Sequence, residues 1–311
     1  MPKGYSRDKT ISNGEFSVSV SEESIQTGIL QEVPAHCRYL ECRLKQDVSQ
    51  ADVVRVLTDL QSMVDGETCV LGLGASLLQR FDVEVQDDLH FNNHQSHGLH
   101  VPATPQDLML WVRGEDVGTV HLKAAEFLSI LDPFFYCEFA TNGFKHREGR
   151  DLTGYEDGTE NPEGEEAIAA VAFDDGSTVM ALQKWVHNLA HFKSLAQNEQ
   201  DDIIGRRLSD NEEFDEAPAS AHVKRAAQEN FEPEAFMLRR SMAFAEPKEA
   251  GLMFASFSRT AEPFNQIMNR MIGLDDGLTD HLFRFSQPVT GAFYWCPPMV
   301  SGRLDLSKLS I

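Results

Sequence analysis

The sequence predicts an α+β fold built from two ferredoxin-like domains, each with an antiparallel sheet. The chain has 311 residues, and a length above about 250 residues favours more than one domain. Strand and helix patterns follow the order β-α-β-β-α-β in the first half, which is the ferredoxin-like order. This order recurs approximately in the second half, although no literal repeat is visible. We therefore predict an N-terminal domain at residues 1–148 and a C-terminal domain at residues 149–311.

The elements of the first half have clear periodicities. Apolar and charged residues alternate in RYLECRL (38–44), which predicts a half-buried strand. Ser49, followed by Asp52 three residues later, predicts the start of a helix whose apolar residues recur up to position 64. The remaining candidates are the strands CVLGLG (69–74), DLMLWVR (107–113) and FFYCEFA (134–140), and the helix HLKAAEFLSIL (121–131).

The patterns of the second half are shorter and less regular. The strand candidates are AIAAVAF (167–173), TVMAL (178–182), FMLRRS (236–241), GLMFASF (251–257) and GAFYWC (291–296). The helix candidates are QKWVHNLAHFKSLA (183–196), which has a broad apolar face, and EPFNQIMNRMIG (262–273). Two polar tracts, 87–106 and 208–222, interrupt this order, and loops of such length in compact domains are often functional or disordered.

The composition excludes several classes of partner. Asp and Glu outnumber Lys and Arg by 49 to 27, so the formal net charge is −22. A nucleic-acid backbone is bound by clustered Lys and Arg, so we expect no nucleic-acid partner. No run of about 18 apolar residues is present, so we expect no membrane span.

The cysteines and the two ends of the chain suggest a compartment. The five cysteines, at positions 37, 42, 69, 137 and 296, are odd in number and include no CxxC pair. Buried free thiols in a reducing cytoplasm are the simplest interpretation. The first residues, MPKGYSRDKTISNGEF, lack the apolar segment of a secretory signal, so we expect a cytoplasmic protein. The last residues, SGRLDLSKLSI, give no indication of a tail that would direct the chain into a protein shell.

One loop, GRDLTGYEDGTENP (149–162), combines glycines with acidic residues. Gly154 and Gly158 permit positive φ and a close approach of the backbone to another group. Asp157 either presents its carboxylate to a cavity, beside the N–H groups of Gly158 and Thr159, or caps its own backbone as an Asx turn. The spacing alone favours the turn.

Histidines suggest a second kind of site. His187 and His191 lie on one face of the predicted helix, but HNLAH lacks the glutamate of the HExxH motif. His90, His94, His97 and His100 lie in a polar tract that offers no cysteine, and we assign them no role. Solvated or capping histidines are the favoured interpretation of His187 and His191, whereas the tract at 90–100 could bind a metal opportunistically.

His222 and Arg239 have a more specific context. His222 ends the acidic run EEFDEAPASAH, and a single histidine at such a junction is either structural or an axial haem ligand. In FMLRRSMAF, a strand period places Met237, Arg239 and Ser241 on one face and Arg240 on the other. A buried Arg239 needs an anion or a developing negative charge, whereas an edge arginine is exposed. We expect one of the two arginines to be inside and the other outside.

Several motifs in order resemble those of the dye-decolorizing-type haem peroxidases. They are GRDLTGYEDGTENP, GRR (205–207), APASAHV (217–223), MLRRSMAF (237–244) and VTGAFYWCPP (289–298). The resemblance extends to VLGLGASLL (70–78) and DLMLWVRG (107–114) in the first half, and it is greatest to the compact bacterial branch, of class B or P type. Two departures are Thr178, where many relatives have an aromatic residue, and the histidine-rich tract at 90–100.

The resemblance implies one haem b per chain, held mainly by the C-terminal domain. His222 then ligates the iron, and Asp280 is the candidate acceptor for its Nδ1–H. Asp157 and Arg239 become the distal catalytic residues, and Ser241 takes the place of a small polar residue that faces the peroxide. The backbone of residues 157–159, from Asp157 through Gly158 to Thr159, is expected over or beside the haem, and Arg239 also contributes to the haem site.

The implied function is reduction of hydrogen peroxide with oxidation of dyes, phenols or other bulky organic donors. An ionised Asp157 would move a proton between the peroxide oxygens, and Arg239 would stabilise the negative charge on the departing one. Electrons from surface donors would pass through aromatic residues, each of which is otherwise a core residue; the candidates are Trp111, Trp185, Trp295, Tyr155 and Tyr294.

Three further expectations concern assembly and rival functions. Ferredoxin-like sheets often assemble, so we expect a homo-oligomer, a dimer or higher. A rival function is a porphyrin carrier or haem-handling protein in which His222 holds the tetrapyrrole and peroxidase activity is incidental. A more distant rival is a divalent-metal enzyme built on His187 and His191.

Overall fold

The computed structural model describes residues 20–85, 87–156 and 161–311. The strands in these ranges are β1 (His36–Leu44), β2 (Cys69–Leu73), β3 (His94–Ser96), β4 (Leu99–Val101), β5 (Leu108–Gly114), β6 (Phe135–Phe144), β7 (Thr178–His187), β8 (Leu238–Arg239), β9 (Met242–Ala245), β10 (Ala250–Ser258), β11 (Ser286–Pro288), β12 (Ala292–Cys296), β13 (Met299–Val300) and β14 (Arg303–Leu304). The α-helices are α1 (Thr27–Leu30), α2 (Gln50–Met63), α3 (Ala75–Gln79), α4 (Val117–Leu131), α5 (Gly164–Val171), α6 (Leu189–Ser194), α7 (Gln197–Ile204), α8 (His222–Ala226) and α9 (Glu262–Met271). Short 3-10 helices occur at Glu22–Ser24, Gln228–Asn230, His281–Arg284 and Ser307–Leu309.

The first half forms a four-stranded antiparallel sheet in the order β2-β5-β1-β6. Its register pairs Tyr39 with Trp111 and Leu40 with Leu110. In helix α2, Ser49 Oγ accepts a hydrogen bond from the Asp52 backbone N–H over 3.1 Å, as the sequence predicts. This sheet has the ferredoxin-like strand order, and α2 and α4 connect its strands.

The second half repeats that order with other strands. β9, β10, β7 and β12 are neighbours in that sequence, and the ladder between β7 and β10 runs from Val179–Ser258 to Val186–Gly251. Along the chain, helices α6 and α7 follow β7, and helix α9 precedes β12. The strand order therefore confirms the prediction of two ferredoxin-like units in an α+β fold.

The two sheets join along both edges. β6 pairs with β9 at Gly143–Phe244 and Phe144–Ala243, and β12 pairs with β2 at Trp295–Leu73. Together with the β7–β10 ladder, these contacts close eight of the described strands into a ring. The domain boundary between residues 148 and 149 stays a prediction.

Side chains from both halves fill the inside of this ring. Tyr39 stacks on Trp111 with ring centroids 6.0 Å apart, and both belong to the same buried cluster as Tyr294. Alternate strand residues point outward and pack under the helices, as Leu40 and Leu110 do beneath α2 and α4. The molecule therefore has an inner core shared by the halves and an outer core between sheet and helices.

Three predictions for the second half are wrong in detail. The first five residues of AIAAVAF belong to helix α5 rather than a strand, because its alanines favour a helix and Glu165 and Glu166 occupy the first turn. Ala172 forms only an isolated bridge with Thr178. The predicted helix at 183–196 is divided: β7 continues to His187, and α6 covers only Leu189–Ser194. β7 is buried on both faces over most of its length, so its apolar run imitates the broad face of a helix. In FMLRRS, only Leu238–Arg239 is strand.

Two properties of the described chain bear on earlier expectations. None of its helices is both long and apolar enough to cross a membrane. Cys37, Cys42, Cys69 and Cys296 are buried free thiols, as predicted, but Cys137 is exposed, which contradicts the prediction for that residue. Cys137 lies on β6, where Tyr136, Cys137 and Glu138 are all exposed.

Candidate active site

A large cavity lies between the outer face of the second sheet and the helices that cover it. It encloses about 940 Å³, including the part that is open to solvent. Its apolar wall comes mainly from β10, α9 and the segments before β8 and β11, and includes Met237, Leu252, Phe254, Phe264, Ile267, Met268, Met271, Leu282 and Phe285. A concave apolar space with a few polar groups is the usual form of a cofactor site.

His222 borders this cavity and has a buried carboxylate, that of Asp280, as a partner. It is the first residue of α8, and 27% of its side chain is exposed. Its Nδ1 lies 2.8 Å from Oδ2 of Asp280, whose side chain is fully buried. The other carboxylate oxygen of Asp280 accepts from the Leu282 backbone N–H over 2.7 Å. The contact between His222 and Asp280 that the sequence suggested is therefore present.

This contact fixes the tautomer of the imidazole. With the carboxylate of Asp280 as the acceptor, Nδ1 of His222 is the donor of this hydrogen bond. Nε2 is then the ring nitrogen suited to ligate a metal, and the carboxylate partner raises its basicity.

Arg239 lies on the same cavity and is half-buried, so it is not an exposed edge arginine. Its backbone is tied to Asn161: the Arg239 N–H donates to Asn161 Oδ1 over 2.8 Å, and Asn161 Nδ2 donates to the Arg239 carbonyl over 3.0 Å. Arg240 is buried and donates to the carbonyls of Ile29 and Leu30, at 3.1 and 2.6 Å. The expectation that one arginine would point outside is therefore wrong, because backbone carbonyls satisfy the second guanidinium.

The remaining predicted residues are placed as follows. Ser241 borders a polar recess next to the cavity, and Arg239 contributes to both spaces. Asp157, Gly158 and Thr159 lie outside the described residues. Two residues of the loop at 149–162 are anchored by hydrogen bonds: Asn161 bonds to the backbone of Arg239, and Asp151 bonds to His187.

Asp151, His187 and Ser286 form a chain of hydrogen bonds at the cavity wall. His187 Nε2 lies 3.0 Å from Asp151 Oδ2, and its Nδ1 lies 2.7 Å from Ser286 Oγ. Burial raises the pKa of Asp151, but the hydrogen bonds from His187 and Thr153 outweigh it and leave that pKa below its usual value. This chain ties the start of the loop at 149–162 to β7.

The histidine pair predicted from HNLAH is therefore not a site. His187 belongs to β7 and His191 to α6, so they do not share a helical face. Among the described residues, no group of three or more His, Cys, Asp or Glu side chains is close enough to hold a metal ion. The partner of His187 was not predicted from the sequence, where the local signal was the Asx turn in which Thr153 N–H donates to Asp151 Oδ1 over 2.7 Å.

Gln183 gives a direct test of whether this cavity suits a ligand. Its side chain is fully buried on the cavity wall, and Oε1 accepts from Trp185 Nε1 over 3.0 Å. Within the part of the chain that the structure describes, Gln183 Nε2 has no hydrogen-bond partner. A buried donor without an acceptor is costly, so this atom fits a bound group that carries acceptor atoms.

The aromatic residues considered for electron transfer have different surroundings. Trp185 and Tyr155 border the cavity, and the Tyr155 hydroxyl donates to Asp201. Trp111 and Tyr294 lie inside the ring of strands, and Trp295 packs in the outer core. A role for any of them in electron transfer stays a prediction.

Comparisons with known proteins agree with this architecture. Residues 148–301 match the family described as "Dyp-type peroxidase, C-terminal". The chain is 32% identical over 222 residues to the dye-decolorizing peroxidase of Mycolicibacterium paratuberculosis, a match that covers 68% of this chain and 61% of that protein. It is 30% identical over 273 residues to the dye-decolorizing peroxidase of Rhodococcus erythropolis, which covers 79% of this chain and 78% of the relative. The chain thus spans less than two thirds of the mycobacterial relative and more than three quarters of the other.

Solved structures show the same fold. The dye-decolorizing protein from V. cholerae superposes with a TM-score of 0.82 at 25% identity, covering 91% of this chain and 98% of that one. A variant of DypB from Rhodococcus jostii, determined in complex with heme, gives a TM-score of 0.78 at 24% identity and covers 86% of this chain and 94% of its own. The chain belongs to the Dyp-type peroxidase family.

Proposed function

We propose that this protein is a haem-dependent peroxidase that reduces hydrogen peroxide and oxidises dyes, phenols or other bulky organic donors. The observation that carries the proposal is the hydrogen bond between half-buried His222 and buried Asp280 on the wall of a large apolar cavity that Arg239 also borders. Membership of the Dyp-type peroxidase family supports it.

The cofactor we propose is one haem b per chain. When bound, it supplies an iron centre that transfers electrons from donors to peroxide. His222 would ligate this iron through Nε2, while Asp280 holds the ring in place through Nδ1. The apolar wall would cover the macrocycle, and Gln183 Nε2 would donate to an acceptor atom of the bound group.

The distal chemistry would come from residues on the loop and on β8. Asp157 would accept a proton from hydrogen peroxide and return it to the leaving oxygen, which departs as water. The guanidinium of Arg239 would stabilise the negative charge that develops on that oxygen, because a preorganised cation needs no reorganisation during the reaction. Ser241 would add a small polar group, and the backbone of Asp157, Gly158 and Thr159 would lie beside the macrocycle.

Partners and location belong to the same proposal. The net charge of −22 favours neutral or cationic electron donors over anionic ones, except at locally basic positions. We also propose a homo-oligomer that works in the cytoplasm, in keeping with the free thiols found in the described chain.

The test compares His222→Ala with His191→Ala, an exposed histidine on α6 that serves as the matched control. The haem-loaded parent and the control should show a Soret band that shifts on addition of peroxide, whereas His222→Ala should lose axial ligation and retain haem poorly. An unchanged spectrum in His222→Ala would remove the proposed ligand. Slow bleaching of the parent without repeated turnover would instead indicate a haem carrier.

The same preparation tests the distal residues. Asp157→Asn and Arg239→Leu should each retain haem, since His222 is intact, and should slow peroxide consumption on the order of 10²- to 10³-fold. Stopped-flow spectra separate the peroxide step from donor oxidation. If both variants react at the parent rate, the assignment of these two residues is wrong.

A further inference from the structure

Cys42 and Cys137 face each other in the ladder between β1 and β6. They are directly paired in the register, where the ladder shifts between Glu41 and Cys42. Directly opposite residues of antiparallel strands have Cα atoms about 4.5–5.5 Å apart, and a disulfide needs about 4.4–6.8 Å. Cys137 Sγ donates to the Phe139 carbonyl over 3.5 Å, and the two thiols are close enough for each to influence the pKa of the other. The backbone therefore holds both sulfurs where they can join without moving a strand.

The two thiols differ in access. Cys42 is fully buried in the outer core, whereas Cys137 is exposed. In the described residues, β6 pairs with β9 only at Gly143 and Phe144, so the edge of β6 around Cys137 has no second strand beside it. A small oxidant from solvent can reach Cys137 but not Cys42.

The charges around the pair favour the same division of roles. The hydrogen bond with Cys42 and the charge of Arg38 lower the pKa of the Cys137 thiol. Partial burial and the charges of Glu41 and Glu138 raise that pKa, and the net shift is downward. The pKa of Cys42 is raised by its hydrogen bond with Cys137 and by burial. A thiolate is the reactive form of cysteine, so Cys137 is the nucleophile of the pair.

The other three cysteines lack these features. Cys37, Cys69 and Cys296 are buried, and burial raises the pKa of Cys37 to about 12. Burial raises the pKa of Cys69 and Cys296 as well. They are therefore internal controls for any reaction of the pair.

We propose that Cys137 and Cys42 form a peroxide-reactive dithiol, separate from the haem cavity, in which Cys137 is attacked first and Cys42 resolves the product. The Cys137 thiolate attacks one oxygen of hydrogen peroxide, the O–O bond breaks, and the departing hydroxide takes a proton to become water. Cys137 is then a sulfenic acid. The Cys42 sulfur attacks the Cys137 sulfur, the S–O bond breaks, and the hydroxide leaves with the Cys42 proton as a second water.

The reaction balances as a two-electron exchange. The two thiols lose two hydrogens and form one disulfide, and one peroxide becomes two waters. A cellular dithiol would reverse it by thiol–disulfide exchange. Neither cysteine borders the cavity that holds His222 and Arg239, so the reaction needs no haem.

The experiment uses the full haem-loaded chain, reduced and then treated with increasing hydrogen peroxide. Remaining thiols are alkylated under denaturing conditions, and a non-reducing digest is analysed by mass spectrometry. We expect one linked peptide pair, joining Cys42 to Cys137 and two hydrogens lighter than the reduced peptides, while Cys37, Cys69 and Cys296 stay alkylated. The linked pair should also form in haem-free His222→Ala, which separates this inference from the proposed peroxidase activity.

Two variants assign the roles. Cys42→Ser should accumulate a dimedone-reactive sulfenic acid at Cys137, and Cys137→Ser should leave Cys42 unmodified; both should oxidise dyes at the parent rate. The proposal is overturned if Cys137 remains alkylatable in excess peroxide, or if it links only to Cys137 of a second copy. Should Cys42→Ser fail to fold, the exposed Cys137→Ser and the digest of the parent decide the question by themselves.

Discussion

The two halves of the chain have the same strand order and treat the outer face of their sheets differently. In the first half, α2 and α4 pack directly on the sheet and bury Val53, Val56, Leu57, Leu60, Val120, Ala124, Phe127 and Leu131. In the second half, a cavity of about 940 Å³, including the part open to solvent, lies beside β7 and β10 among the covering helices, although Phe264 of α9 still packs against Phe254 of β10 with ring centroids 6.1 Å apart. One topology therefore forms a packed core in one place and lines a cavity in the other.

The apolar residues of the two halves therefore have different roles. In a packed core, an apolar side chain stabilises the fold through the water it excludes and the neighbours it contacts. At a cavity wall, the same side chain already borders open space, and the proposed function would have a bound ligand supply its missing contacts. Matched substitutions in the two halves separate these two contributions.

The largest effect is expected from a leucine pair. Leu110 on β5 is fully buried, and Leu252 on β10 borders the cavity. Leu110→Ala should lower the free energy of unfolding by about 2–5 kcal/mol and leave haem affinity unchanged. Leu252→Ala should lower that free energy less and weaken haem binding. Urea denaturation followed by circular dichroism, together with haem titration, measures both quantities. Equal losses of stability with unchanged haem affinity would remove the distinction.

The next effect concerns a contact that crosses from one half to the other. Tyr294 on β12 donates to Glu41 Oε2 on β1 over 2.7 Å, and both side chains are buried inside the ring. Burial raises the pKa of Glu41 from its ordinary 4.5 to about 7, against the opposing effect of the hydrogen bond from Tyr294. The folded protein therefore binds this proton more tightly than the unfolded chain does.

The sign of the pH effect follows from that difference. Between pH 4.5 and pH 7 the folded state holds the Glu41 proton and the unfolded state releases it, so stability falls as pH rises. The stabilisation is full below the unfolded pKa and is lost as pH rises to the folded one, on the order of 3 kcal/mol in total. Glu41→Gln keeps an acceptor for Tyr294 and should remove this loss. Urea denaturation at mildly acidic and mildly alkaline pH measures it, with the exposed Glu138→Gln as control; identical pH dependence in parent and Glu41→Gln would contradict the prediction.

The smallest effect is local to the first half. Ser49→Ala removes the side chain that caps α2 and should cost about 1 kcal/mol of stability without any change in haem binding. Ser62→Ala, near the end of the same helix, removes an exposed hydroxyl bonded only to the Asp59 carbonyl and is the matched control. Thermal unfolding of the two variants gives the comparison. A loss of haem affinity in Ser49→Ala would show that the packed half is coupled to the cavity.

Sequence reasoning predicted the first half better than the second for a physical reason. In the first half, the helix after Ser49 is amphipathic and displays the helical period, and RYLECRL keeps an alternating pattern of apolar and charged residues. The prediction that RYLECRL is half-buried is wrong, because Tyr39, Leu40, Glu41 and Cys42 are all buried between the inner and the outer core. β7 is buried on both faces and shows no such period, and AIAAVAF has the apolar content of a strand with the alanines of a helix. Periodicity alone does not decide such segments.

The candidate site shows a similar limit. His222 and Arg239 were identified from local context and family resemblance, and the structure brings both to one cavity. The link from Asp151 to His187 joins positions far apart in the chain, and one sequence contains no signal for that pairing. The exposure of Cys137 depends on where β6 loses its neighbouring strand, which is a property of the whole sheet.

In the closed ring of strands, the two halves of the chain associate as the two subunits of a heterodimer do. The two ladders that join the halves are short: one residue pair between β12 and β2, and two residue pairs between β6 and β9. Most of the cohesion between the halves must therefore come from the shared interior, where Tyr39 and Trp111 of one half meet Tyr294 of the other. Because one polypeptide carries both partners, their association is unimolecular and does not depend on protein concentration. Halves produced as separate chains would each present open strand edges and half of an apolar interior, and they would have to find each other before either could fold stably.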